Sequence, residues 1–266
     1  MEFAPGQLIY SRRSAFHTIE VYESDELRML RTDQHAVQSA ISLSQSQQLN
    51  LPYMHAMMAG LLFQPTPQNV LMLGLGGGDL LRYLHHYLPE SLLTAVEIDA
   101  AMVEVCRDYF ALPESNNIDI HIDDAMHYIA NETQLYEMII VDIYHGTNVP
   151  MLIHDKSFYQ HCFDRLAENG MLIVNLLTND ADIFRNILWL IRQQFDRSTL
   201  CLTVPEHMNV IVFAFKQRPC ELRLELLQKK AEELGKRYEL NFSEWAQQLF
   251  SINPTADGEL IFELDP

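Results

Sequence analysis

Five acidic residues and one cluster of glycines carry most of the chemistry that this sequence displays. The stretch Asn69 to Asp79, NVLMLGLGGGD, places Gly74, Gly76, Gly77 and Gly78 directly after the apolar run Val70 to Leu73. Glycine permits positive φ and lets a ligand come close to the backbone. Leu80, Leu81, Tyr83 and Leu84 follow at helical spacing, so strand, glycine turn and helix form the opening unit of a nucleoside-binding α/β fold. A glycine turn alone is a weak signal. It is strengthened by Glu97, which ends the next apolar run, Leu92 to Val96, where an acid for ribose hydroxyls is expected. Asp79, Asp99, Asp124 and Asp142 also stand at or just past the ends of apolar runs. Ligands bind outside the carboxyl ends of the strands in such folds. Glu97 can accept from both ribose hydroxyls, and Asp124 from an adenine amino group. The strand ending at Asp142 should lie beside the glycine-turn strand, so Asp79 and Asp142 should flank one crevice. Two carboxylates that close together need a cation or a proton between them. Taken singly, Asp79 reads equally well as a helix cap and Asp142 as a loop cap.

The elements that must position these groups alternate along the middle of the chain. Apolar runs predict strands at 69–74, 92–98, 118–122, 137–142, 170–176, 199–203 and 208–215, with helices at 79–88, 100–110, 124–131, 155–167 and 180–195 between them. Alternation of this kind implies a parallel sheet covered on both faces. The short turn near Pro205 and Glu206 makes the last two strands an antiparallel hairpin. The fold class is therefore α/β, a methyltransferase-type (Rossmann-like) seven-stranded sheet with a terminal antiparallel hairpin. A small amino-terminal β-sheet precedes it: residues 7–45 alternate in short segments that suggest three or four strands. Residues 47–63 turn helical, with Met54, Met57 and Met58 as core packing, and Pro65 and Pro67 end that helix. The chain divides as 1–66 (small sheet plus helix), 67–218 (nucleoside-binding α/β domain) and 219–266 (a helical extension packed on it). In the extension, Leu224, Leu227, Ala231 and Leu234 form an apolar stripe, Gly235 is read as its stop, and Asn241 with Glu244 resembles a capping box for a second helix carrying Trp245 and Leu249.

Composition narrows the classes. The net charge of −18 over 266 residues argues against nucleic acid, which calls for a basic surface, and suits a cationic small substrate. No apolar run is long enough to span a bilayer. The opening residues lack a signal-peptide pattern, and Cys106, Cys162, Cys201 and Cys220 show no CxxC. A cytoplasmic protein with reduced thiols is the expectation. The scattered histidines (His85, His86, His121, His127, His154, His161) lack HExxH spacing and have no cysteine beside them, so no metal site is expected.

These residues resemble the spermidine synthase family, the polyamine aminopropyltransferases, from about Leu8 to about Phe215. The family's GGGDG loop is matched by Gly76-Gly77-Gly78-Asp79-Leu80, its VEID by Val96-Glu97-Ile98-Asp99, its acidic pair by Asp124-Ala125, and its D-x-x-D-P by Asp142-Ile143-Tyr144-His145-Gly146. Phe158-Tyr159 and Asn169-Gly170-Met171-Leu172 echo later motifs. Gln38 and Tyr53 fall where the family has a Gln and the Tyr of YHE. The resemblance implies an aminopropyl donor, decarboxylated S-adenosylmethionine, used as co-substrate with no permanently bound cofactor. Gly74, Gly76, Gly78, Asp79, Glu97, Asp124 and Gln38 would bind that donor. Asp79 and Asp142 would hold its ammonium, and Asp142 would also take a proton from the attacking amine. Tyr53 and His145 would meet the acceptor, a small amine.

The departures fall on the acceptor side. His145 replaces the motif's second acid, Gly146 its proline, Met54-His55 the HE of YHE, and Asn175 a later Gln. A neutral or weakly basic imidazole cannot supply the fixed negative charge an ammonium wants, so an intact donor site with an atypical acceptor is expected. Two other readings stay open: an S-adenosylmethionine-dependent methyltransferase, and a non-catalytic adenosyl-nucleoside-binding protein. Relatives associate through the amino-terminal region, which allows a homodimer here.

Overall fold

The structure is a computed structural model and describes residues 6–33, 37–143, 150–177, 180–220 and 222–262. Four antiparallel strands open the chain, β1 (Gln7–Arg13), β2 (Thr18–Glu23), β3 (Leu27–Thr32) and β4 (Val37–Ser42), paired in sequence order. Helix α1 (Pro52–Met58) follows, starting on a proline that needs no amide partner, and it tightens into a 3-10 turn over Ala59–Leu62. The helical stretch expected over 47–63 is thus shorter and begins at the proline.

The main sheet is built from β5 (Asn69–Leu73), β6 (Leu92–Glu97), β7 (Ile118–Ile122), β8 (Tyr136–Val141), β9 (Leu166–Leu177), β10 (Thr199–Thr203) and β11 (Asn209–Phe215). Its order is β10-β11-β9-β8-β5-β6-β7. The five strands from β5 to β9 run parallel, and β11 enters antiparallel against β9 and β10. The expected seven-stranded sheet and terminal hairpin are both present. Strand β9 begins four residues before the expected start at 170, because Leu166 already pairs with Tyr136 across an irregularity. The order reverses between β5 and β8, so the crevice above those strands is the topological switch point where ligands bind.

Helices α2 (Asp79–Tyr87), α3 (Ala100–Tyr109), α4 (Ala125–Asn131), α5 (Lys156–Arg165) and α6 (Ala181–Gln194) cover the sheet. Val70, Leu71, Met72 and Leu73 are all buried, which is why β5 reads as a continuous apolar run rather than an alternating one. Each such side chain contributes about 1.5–3 kcal/mol of transfer free energy.

The tail adds α7 (Leu224–Tyr238) and α8 (Phe242–Ile252). Gly235 is not a stop: α7 runs through it and ends at Glu239, which adopts the left-handed conformation at φ 55°. The stop therefore rests on one residue's backbone strain, which composition does not reveal. Asn241 does cap α8, accepting from the Glu244 amide at 3.4 Å and donating to the Glu244 carboxylate at 3.0 Å. The Tyr83 hydroxyl of α2 donates to the Tyr238 carbonyl at 2.7 Å, and the Tyr238 hydroxyl donates to the Pro65 carbonyl at 2.5 Å. The amino-terminal sheet, the main sheet and the tail all contribute to one hydrophobic cluster, from Ile19 to Phe262. No helix among the described residues is long and apolar enough to cross a membrane.

Candidate functional site

The glycine turn is fastened on both sides. The Gly74 amide donates to the Val96 carbonyl of β6 at 2.9 Å, and the Asp142 amide donates to the Leu73 carbonyl of β5 at 3.0 Å. Gly74 adopts φ +97°, and a Cβ there would lie 2.2 Å from the Asp142 carbonyl oxygen. No other residue type fits that place without moving backbone. Gly77 is as tightly held, since its Cβ would lie 2.1 Å from the Ser39 hydroxyl oxygen on β4. At Gly76 a Cβ would meet nothing within 4 Å, so that glycine faces open space.

A narrow cavity of about 80 Å³ sits above this turn. Gly74, Leu75 and Gly76 form one edge, Glu97, Ile98 and Met102 another, and Asp142 with Ile143 a third. The amino-terminal segment supplies the roof: His17, Thr32, Gln38, Tyr53 and Met54. Among the expected site residues, the structure brings Gly74, Gly76, Gln38, Tyr53, Glu97 and Asp142 to this one cavity. Gly78, Asp79 and Asp124 lie outside its lining. His145 lies outside the described residues.

Glu97 ties the loop together. Its Oε2 accepts from the Leu75 amide at 3.1 Å and its Oε1 from the Asp99 amide at 3.0 Å. Burial raises its carboxyl above the ordinary range, opposed by those amides. Each carboxylate oxygen retains a lone pair, so the group can still accept from a diol. Asp99 caps α3 through the Ala101 amide at 3.0 Å, and its other oxygen lies 3.5 Å from His17 Nε2. Asp124 caps α4, accepting from the His127 amide at 3.0 Å.

Asp142 belongs to a polar chain at the end of β8. Asn175 Nδ2 donates to Asp142 Oδ1 at 2.9 Å, and Asn209 Nδ2 donates to Asn175 Oδ1 at 2.9 Å. The pairing of Val141 with Val174 and of Ile211 with Asn175 sets these three strands side by side at that level. Burial pushes the Asp142 carboxyl up to about 6, with hydrogen bonds from Asn175 and Tyr53 pulling against it and the charge of Asp79 adding to the rise. A carboxylate tuned there is a competent proton acceptor near neutrality.

Asp79 is the first helical residue of α2 and makes no side-chain cap there; the N-cap is Gly78, left-handed at φ 74°. It is 2% exposed, and Arg82 Nη2 donates to its Oδ1 at 2.7 Å. Burial raises its carboxyl, with Arg82 as the main opposing influence. Arg82 is itself buried. It donates through Nη1 to the Gly77 and Phe110 carbonyls at 2.6 and 2.8 Å, and through Nε to the Ser46 carbonyl at 3.1 Å. Asp79 and Asp142 are near enough to feel each other, yet only Asp142 faces the cavity.

Sequence reasoning did not single out Arg82, His17 or Asn209 as site residues, and it read Asn175 only as a departure. For the two asparagines a signal exists: Asn175 interrupts the apolar run Met171–Leu177, and Asn209 opens the apolar run that ends at Phe215. Arg82 also has a signal, the i,i+3 spacing to Asp79 on one helix, whereas His17 has none, since its partner Asp99 is distant in the chain. Among the described residues no group of three or more His, Cys, Asp or Glu could hold a metal ion.

With that geometry in place, comparison with known proteins adds independent observations. The chain matches the spermine/spermidine synthase domain over residues 52–223. It is 31% identical to a polyamine aminopropyltransferase of Neisseria meningitidis over 252 residues, 94% of this chain and 95% of that protein. A probable spermidine synthase from Corynebacterium glutamicum superposes with a TM-score of 0.73 at 18% identity, over 97% of each chain, a likeness of fold. Human methyltransferase-like protein 13, solved with SAH, superposes with a TM-score of 0.65 at 26% identity, over 71% of this chain and 93% of that one.

Proposed function

The chain belongs to the spermine/spermidine synthase family, and on that premise we propose that it is a polyamine aminopropyltransferase with decarboxylated S-adenosylmethionine as donor and a small amine as acceptor. The observation that carries this reading is Asp142. Its carboxylate is held by the Asn175 amide at 2.9 Å and lines the same cavity as the glycine turn and Glu97, and burial pushes the carboxyl up.

In this reading Gly76, open on its outer side, lets the nucleoside approach the backbone, Gly74 and Gly78 give the donor turn its shape, Glu97 accepts from the ribose hydroxyls, and Gln38 closes over the donor. Asp124 serves the adenine end. Asp79 belongs to the donor loop. Tyr53, on the cavity wall, and His145, by its place in the motif, are assigned to the acceptor. The acceptor nitrogen attacks the aminopropyl carbon bonded to sulfur. The new C–N bond forms as the C–S bond breaks, the electron pair goes to sulfur, and methylthioadenosine leaves neutral. The nitrogen's surplus proton goes to Asp142. Alignment of nitrogen, carbon and sulfur supplies much of the rate, and Asp142 orients the amine and takes its proton. A cytoplasmic location and a homodimer through the amino-terminal sheet belong to the same reading, the latter supported by the edge strand β1, whose Leu8 and Ile9 are exposed.

The second reading is an S-adenosylmethionine-dependent methyltransferase, supported by the likeness to methyltransferase-like protein 13. Calorimetric titration with decarboxylated S-adenosylmethionine, S-adenosylmethionine and methylthioadenosine separates the two. The proposal expects the decarboxylated donor to bind best and an amine panel to release methylthioadenosine. Tighter binding of S-adenosylmethionine, with no methylthioadenosine released by any amine, would refute it.

A further inference from the structure

A second cavity, of about 310 Å³, opens at the other end of the sheet from the cavity over the glycine turn. Its floor is Leu62 of the 3-10 turn, Met171 of β9, Phe215 of β11 and Leu227 of α7, all buried. Met171 pairs with Phe215, and Asn175 stands further along β9 toward the polar chain that holds Asp142. At about 3.3 Å per residue, the separation from Met171 to Asn175 is roughly 13 Å. Aromatic rings extend the floor. Phe63 meets Phe215 edge-on with centroids 5.0 Å apart, and Phe215 meets Phe262 at 5.9 Å.

The rim is cationic. Arg218 and Lys230 line it, and among the described residues no acidic side chain does. The chain as a whole carries 36 Asp and Glu against 18 Lys and Arg, so the local sign runs against the average. Two acids that neighbour rim residues are engaged by amides: Gln64 Nε2 donates to Glu137 at 3.2 Å, and Gln217 Nε2 to Glu168 at 2.8 Å. Arg218 lies over the Phe262 ring at 5.3 Å, and its hydrogen bonds go to neutral acceptors, the Ser198 hydroxyl at 3.2 Å and the Asp196 carbonyl at 3.4 Å. Most of the guanidinium's donors are left for a ligand. A planar guanidinium matches a carboxylate or a phosphate with two parallel hydrogen bonds.

We propose that this cavity is a second ligand site, which takes a compact organic oxyanion: an aryl body against Phe63 and Phe215, and a carboxylate or phosphate monoester on Arg218, with Lys230 adding charge. The volume sits at the low end of small-molecule sites, which run from about 300 to 1,000 Å³, so the ligand is small. The cavity shares no wall residue with the one over the glycine turn. The site is therefore independent of the aminopropyltransferase reading and goes beyond it. The rival view is a packing seam between α7 and the main sheet, which would be blind to the charge of a ligand.

The experiment is ligand-observed NMR titration of the full chain with 3-phenylpropanoate and phenyl phosphate, and with 3-phenylpropanamide and acetate as controls. The proposal expects one of the two aryl oxyanions to bind at least about fivefold tighter than either control, the size of one partly screened charge-assisted contact. The tighter of the two names the oxyanion. Arg218→Gln should weaken that ligand by about the same factor. Leu226→Trp, placed on the wall at an exposed position, narrows the mouth and should weaken it as much or more. Thermal melting shows that both variants are folded. Cys220, exposed and on the rim, reports occupancy without any substitution: saturating ligand should slow its alkylation by iodoacetamide, which depends on access, and leave that of Cys201 unchanged. Three results would each overturn the proposal: no binding by either aryl oxyanion, binding matched by the neutral amide, or binding that survives both substitutions and leaves Cys220 alkylation as fast as before.

Discussion

Replacing Asn175 with Leu tests whether the ionisation of Asp142 gates turnover. Asn175 Nδ2 donates to Asp142 Oδ1 at 2.9 Å and favours the charged carboxylate. Leucine has nearly the same volume and no donor. A hydrogen bond to a charged group contributes roughly 1.5–3 kcal/mol, and 1.36 kcal/mol corresponds to one pKa unit. Losing the bond should therefore lift Asp142 by about one to two units from its value of about 6. At pH 6 the ionised fraction would fall from about one half to between roughly 0.07 and 0.006, a loss of about 7- to 80-fold. At pH 9 both proteins would be largely ionised and nearly equal in this respect. The assay is methylthioadenosine release at limiting donor, from pH 5.5 to 9.5, reported as the variant's kcat/KM divided by that of wild type. That division cancels the titration of the amine substrate itself. A ratio that rises with pH, with its midpoint between about pH 7 and 8 and its plateau about one unit higher, supports the reasoning. A ratio flat across the range would refute it, because the lost activity would then be a packing defect. Thermal melting at pH 8 checks that the variant, whose Asn209 amide loses its partner, remains folded.

Other expectations follow from the same geometry. Asp142→Asn should abolish turnover yet stabilise the fold at neutral pH. A carboxyl raised in the folded state contributes stability below its unfolded value and loses it as pH rises through the folded value, so the wild type forfeits up to about 3 kcal/mol between pH 4 and pH 6. The variant's melting temperature should exceed that of wild type at pH 8 and converge with it near pH 4; an equal gap at both would defeat the argument. Arg82→Met leaves Asp79 buried without its cation and should cost about 3–5 kcal/mol in chemical denaturation, whereas a loss below 1 kcal/mol would mean the pair is not formed. Gly77→Ala drives a Cβ to 2.1 Å from the Ser39 hydroxyl and should weaken donor binding; adding Ser39→Gly should recover it, and a failure to recover would place the clash elsewhere. Gly74→Ala meets backbone rather than side chain, at 2.2 Å from the Asp142 carbonyl, so no single partner change should rescue its folding yield.

The main sheet was legible because its strands are buried on both faces, and a run such as Val70–Leu73 between a polar residue and a glycine admits few other readings. Strand β9 was legible except at its start, where Glu168 and Asn169 interrupt the apolar pattern after Leu166, which pairs with Tyr136. The resemblance pointed to Glu97, Asp142 and Gln38, and the fold gathers them at one cavity. It could not show that Asp79 is occupied, because an acid in a loop motif looks the same whether its partner is a ligand or an arginine one turn on. His17 came from the turn between β1 and β2, and only the docking of the small sheet over the main one brings it near Asp99. Asn175 and Asn209 lie far apart in the chain, and the antiparallel register of β9 and β11 makes them neighbours. Long-range register is the information that local patterns lack.

The hydroxyls of Tyr83 and Tyr238 bear on the order in which the protein can be made. Helix α2 carries Asp79 and Arg82 at one end, and Tyr83 in its next turn donates to the carbonyl of Tyr238 at 2.7 Å. During synthesis the glycine turn, α2 and the whole parallel sheet emerge well before α7. Until α7 arrives, Tyr83 and Tyr87 keep a bare face, and the buried hydroxyl has no acceptor. The donor loop should therefore reach its final rigidity only after the ribosome has released the tail. A nascent chain halted before residue 220 should bind adenosyl ligands weakly, although every residue of the proposed donor site is already present.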